Sequence, residues 1–94
     1  MNSNFSALIE GIVVKGAFKK SNIACPDYDG NLVITVENVD EFDVHDVEKT
    51  LALDNIVTFG KDQNEFVINY VKASDCEAIF EKVCDTIEFS YCCM

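Results

Sequence analysis

Apolar and polar residues alternate from residue 31 to residue 38, with Leu32, Ile34 and Val36 on one side and Val33, Thr35 and Glu37 on the other. That period of two predicts a β-strand with one buried face, opening after the turn signal Asp29-Gly30. From 39 to 51 the spacing lengthens, and Val44, Val47 and Leu51 fall on one face of a helix. Asp43 suits its N-cap, Asp46 suits the positive end of its dipole, and Phe42 and Val47 have the spacing of a hydrophobic staple. Residues 56–59 read as a short β-branched strand and 60–64 as a hairpin loop. A further strand over 65–72 carries Phe66, Ile68 and Tyr70 on one face. Ser74-Asp75-Cys76-Glu77 fits a capping box, followed by Cys76, Ile79, Phe80, Val83 and Ile87 at helical intervals, with the helix ending near Asp85. Alternation returns over 86–92, where Ile87, Phe89 and Tyr91 share a side and predict a closing strand.

Residues 31–94 therefore spell β-α-β-β-α-β, the order of a ferredoxin-like sandwich: an α+β fold with one antiparallel sheet and two helices on one face. Right-handed crossovers place the strands at 31–38 and 65–72 in its centre. Residues 1–30 add an N-terminal β segment. Phe5, Leu8, Ile9, Ile12 and Val13 also match a helix, but Gly11, Val13, Val14 and Gly16 favour a strand, hairpinned to 31–38 through residues 19–30. The length of 94 residues fits a single domain over 1–94.

Charge changes this picture most. Seventeen carboxylates face seven lysines and no arginine, for a net −10. Residues 1–30 balance Glu10, Asp27 and Asp29 against Lys15, Lys19 and Lys20, so the excess lies entirely on 31–94. A hydrophobic fraction of 49% is too rich for a disordered acidic tail, so the acid sits on a folded body. No apolar run approaches the roughly 18 residues of a membrane span. The five cysteines are odd in number, two are adjacent, and none forms a Cys-x-x-Cys pair, which points to free thiols and a reducing cytoplasmic setting. Cys76 and Cys84 read as small helix hydrophobes.

The same residues argue against most site chemistries. His45 is the sole histidine and sits among Asp43, Asp46 and Glu48, with no nucleophile and orienting group spaced around it. The acids from 40 to 48 do not follow a calcium loop and lack its glycine, while the cysteines never fall in zinc-ligand pairs. There is no glycine-rich phosphate loop. Phe66 and Tyr70 match the base-stacking position of RNA-recognition sheets, yet they lack a basic surround, and −10 opposes direct contact with nucleic acid. The expectation is no catalytic residue, no metal and no cofactor.

What remains is the carboxylate face itself. Glu37, Asp40, Glu41, Asp43, Asp46 and Glu48 form its densest block, and such a field steers basic partners. The expected function is a non-enzymatic interaction protein docking this face on a basic protein surface, foremost that of a nucleic-acid-binding or defence protein. In charge and size it resembles small acidic inhibitors of viral and phage type. An alternative is a regulatory or assembly module that dimerises through an open sheet face bearing Val33, Val67 and Val71. A small enzyme would need polar groups such as Cys25, Tyr28 and His45 to converge in one pocket.

Overall fold

β1 (Asn4–Ile9) and β2 (Ile12–Lys20) form an antiparallel hairpin at Gly11, whose φ of 84° is the left-handed conformation that a tight reversal requires. β3 (Gly30–Glu37) pairs with β2, β5 (Glu65–Val71) with β3, and β4 (Thr58–Asp62) with β5, all antiparallel. The sheet order is β1-β2-β3-β5-β4. A computed structural model describes residues 3–9, 11–22, 27–37, 44–62 and 64–92 of the chain, with only the backbone described at 44, 45, 61 and 90–92.

Alternate strand residues and two helical stripes meet in one apolar cluster. The sheet contributes Ile12, Val14, Leu32, Ile34, Val36, Phe66 and Ile68. α1 (Val44–Leu53) adds Val47 and Leu51, and α2 (Cys76–Cys92) adds Cys76, Phe80, Val83 and Ile87. α1 packs over β4 and β5, α2 over β1 and β2, and the helices touch each other. Phe80 reaches the sheet above Gly16, where a side chain would collide with its ring, and stacks on Phe5 at 5.3 Å between centroids. α1 stops in a Schellman arrangement: Asn55 is left-handed at φ 64°, its N–H donates to the Ala52 carbonyl, and the Ile56 N–H donates to that of Leu51.

The α+β class and a roughly ferredoxin-like arrangement, with β3 and β5 paired inside the sheet and both helices on one face, are as the sequence leads one to expect, although with five strands β3 alone is central. The strand order departs from that scheme in one place. Residues 86–92 are not a closing strand; they are the last turns of α2. Ile87 lies four residues beyond Val83 and seven beyond Phe80, so the helical stripe continues without a break and Phe89 is left 69% exposed. The position beside β3 is held by β2, so the N-terminal segment is two strands rather than one, hairpinned to β3 as expected.

Two smaller departures have local causes. Tyr70 does not join Phe66 and Ile68 in the core, because the β3–β5 register gains a residue on β5 between Ile68 and Val71. The bulge puts Tyr70 at φ 61° and 61% exposed, edge-on to Tyr28, and turns Val71 inward, off the open face. The expected capping box is replaced by a 3₁₀ turn, Ala73–Asp75, that runs into α2 with the Cys76 N–H donating to the Ala73 carbonyl. Asp43, the expected cap of α1, lies outside the described residues.

Candidate functional site

The two layers of the fold differ in charge. On the open sheet face Lys15 pairs with Glu37 at 3.2 Å and Thr35 donates to Glu65 at 3.0 Å. Charges of both signs are interspersed there. Beside these pairs runs an apolar row across four strands, Ala17, Val33, Val67 and Phe59 in register, with Phe59 68% exposed. Beside β1 a shallow depression of about 440 Å³ is lined by Asn4, Ser6, Lys15, Ala17, Val33 and Thr35.

α2 is different. Its exposed carboxylates Glu77, Glu81, Asp85 and Glu88 recur at four, four and three residues, a repeat that keeps them on one flank over about 16 Å of helix. None of the four meets a cation among the described residues. Lys82, the one base of α2, lies farther round the helix, three residues from Asp85, and bonds Asp54 just past α1 at 3.2 Å. Because α1 stands on the Lys82 side, Glu77, Glu81 and Glu88, the acids farthest round the helix from Lys82, are on the β1 side of α2.

The six carboxylates expected to form the docking face are placed unevenly. Glu37 ends β3 on the open face and is paired with Lys15. Asp46 sits in the first turn of α1, exposed, 3.5 Å from Lys49, and Glu48 is half-buried on the same helix. The two helical residues and Glu37 therefore occupy different layers. Asp40, Glu41 and Asp43 lie outside the described residues, as do Cys25 and the side chain of His45. The α2 stripe is the larger described acidic array, and its signal was the spacing 77, 81, 85 and 88 within one uninterrupted helix.

The described thiols are sheltered rather than activated. Cys76 is buried, and its Sγ donates to the Lys72 carbonyl at 3.6 Å. Burial and then the negative charges of Asp75 and Asp29 push its pKa up. Cys84 is raised from 9.0 to about 11, first by burial and then by Asp85 and Glu81. Less thiolate at a given pH means a slower nucleophile, an effect partly offset by the greater intrinsic reactivity of a more basic sulfur. At pH 8 iodoacetamide should therefore label Cys84 on the order of tenfold more slowly than an unhindered thiol, and the rate should climb as pH approaches 11. Peptide mapping by mass spectrometry measures this; labelling as fast as that of free cysteine would contradict it.

Among the described residues no group of three or more histidine, cysteine, aspartate or glutamate side chains is gathered as a metal would require, and no helix is long and apolar enough to cross a membrane. Comparison with protein-family models, characterised proteins and solved structures finds no match.

Proposed function

We propose that this chain is a non-enzymatic interaction protein that presents carboxylates to the basic surface of a partner, and that it acts as a small inhibitor of viral or phage type by occupying lysines and arginines that would otherwise meet phosphates. The observation that carries this reading is the α2 stripe: four exposed carboxylates on one helical flank, with no described cation neutralising them. The helix N-terminus accounts for Glu77, which lies in the first turn. No such local reason applies to Glu81, Asp85 and Glu88, which are exposed and, at one per turn of a rigid helix, pre-arranged for several cations at once. Glu37, Asp46 and the half-buried Glu48 add to the acidic surface, although each already has a partner within the chain.

The test is capture of a basic nucleic-acid-binding protein by the wild-type chain and by a variant carrying Glu77→Lys, Glu81→Lys, Asp85→Lys and Glu88→Lys. The expected result is recovery at low salt by the wild type only, loss as salt screens the contacts, and competition between the chain and nucleic acid for the captured protein. Identical capture by both proteins at both salts would end this reading. The variant should stay folded, since exposed substitutions usually change stability by about 0.5 kcal/mol or less each.

The alternative, self-association through the open sheet face, draws on the exposed Phe59 and the apolar row behind it. Sedimentation at several concentrations separates the two: a dimer broken by Phe59→Asp favours the alternative, and a monomer throughout removes it.

A further inference from the structure

The sheet has two edges, and they are guarded differently. β4 is interrupted by a register shift between Gly60 and Asp62 and carries the exposed carboxylate of Asp62, devices that discourage another strand from pairing. β1 has none of them: its six residues, Asn-Phe-Ser-Ala-Leu-Ile, contain no charge and no proline, and their register with β2 is unbroken. The Phe18 N–H donates to the Ser3 carbonyl at 2.7 Å, which makes Ser3 and Phe18 a hydrogen-bonded pair. By the alternation of an antiparallel ladder, Phe5, Ala7 and Ile9 also bond inward to β2, and Asn4, Ser6 and Leu8 turn their N–H and C=O groups outward. Among the described residues nothing pairs with that row.

Above this edge stands the acidic flank of α2, and beneath it lies the depression lined by Asn4, Ser6, Ala17 and Val33. A strand added outside β1, about 4.8 Å away, would send alternate side chains up toward Glu77, Glu81 and Glu88, and the others down beside the depression. A second copy of this chain fits poorly, because its own β1 offers no cation and its α2 would bring a like-charged stripe against the first. We propose that β1 receives an extended basic segment of the partner as a sixth strand, with lysines or arginines facing α2 and apolar residues facing the open side. This rests on the acidic-docking reading above and specifies how the docking occurs.

The probe is a synthetic peptide of alternating lysine and valine, seven residues long and blocked at both ends, followed by backbone amide NMR of the full chain. Binding should shift the amides of Asn4, Ser6 and Leu8 and slow their hydrogen exchange at least tenfold. Two N-methylated versions of the peptide, one methylated at the lysines and one at the valines, keep the protein unaltered. Only one set of nitrogens can face β1, so one version should lose at least tenfold in affinity while the other binds as the parent does. Equal binding by both methylated peptides, or no shift at Asn4, Ser6 and Leu8, overturns strand addition. If that binding is still lost in the four-lysine α2 variant, the acidic-docking reading survives; if the variant binds as well as the wild type, both fall.

Discussion

Phe66→Ala should cost about 3–5 kcal/mol of folding stability, as truncating a buried aromatic generally does. Phe66 is 0% exposed and, among the described residues, the largest of the fully buried side chains, and it sits on β5, an interior strand of the sheet. Its neighbours cannot readily close the gap. It is paired across the sheet with Ile34 on one side and Gly60 on the other, so the backbone around it is held by hydrogen bonds in both directions. A chain of 94 residues has a total stability of roughly 5–14 kcal/mol, so this one change would remove a large part of it. Phe89→Ala, the same chemical change at a 69% exposed position of α2, should cost about 0.5 kcal/mol or less. Urea denaturation of both variants measures the contrast. A large loss at Phe89 would mean that residues 86–92 pack as a strand after all, and a loss below about 1 kcal/mol at Phe66 would mean that the core is built elsewhere.

That contrast also shows where sequence reading succeeds and where it breaks. β3 was legible because Leu32, Ile34 and Val36 alternate without exception and one face is wholly buried. β5 was legible only as far as Ile68, since a bulge resets the period, and nothing in Asn69-Tyr70 signals that a tyrosine will take a left-handed φ. The end of α2 was misread for another reason. Ile87 satisfies both periods, two residues before Phe89 and four after Val83, and short apolar runs do not separate helix from strand by periodicity. With no glycine or proline after Val83, the existing helix simply continues, because each added residue gains a hydrogen bond without a new nucleation cost.

The misplaced helix end had a functional consequence. With residues 86–92 in a strand, Glu88 would not share a helical flank with Glu77 and Glu81; in the continuous helix it does. Linear density is a poor guide to surface density: Glu37 and Asp46 are close in sequence yet stand on opposite layers, whereas Glu77 and Glu88 are eleven residues apart on one flank. The bare edge was equally hidden, because whether a strand is an edge depends on which strand fills the place beside β3. Only the pairing of β2 there leaves β1 outermost, under the acidic side of α2.

The second large effect is expected at Gly30, where β3 begins at its pairing with both Lys20 and Val71. A methyl group there would run into the Lys19 carbonyl oxygen and come within 2.9 Å of the Lys20 Cα. Both obstacles are backbone, and that end of β2 is held by its pairing with β3, Lys19 with Asn31 and Lys20 with Gly30, so relief requires these two strands to part. Gly30→Ala should therefore cost about 3 kcal/mol or more, at or beyond the usual range for overpacking. Gly16→Ala supplies the comparison. Its added carbon would meet the Phe80 ring at 2.8 Å, but that ring is a side chain on α2 and can yield by a small shift of the helix, so about 1–3 kcal/mol is expected. For a domain of this size each kcal/mol lowers Tm by roughly 4–8 °C, so thermal melts should rank Gly16→Ala above Gly30→Ala with a clear gap. The reverse ranking would place the close approach at the helix–sheet contact rather than between β2 and β3, and β3 would then have lost its steric reason to begin on a glycine.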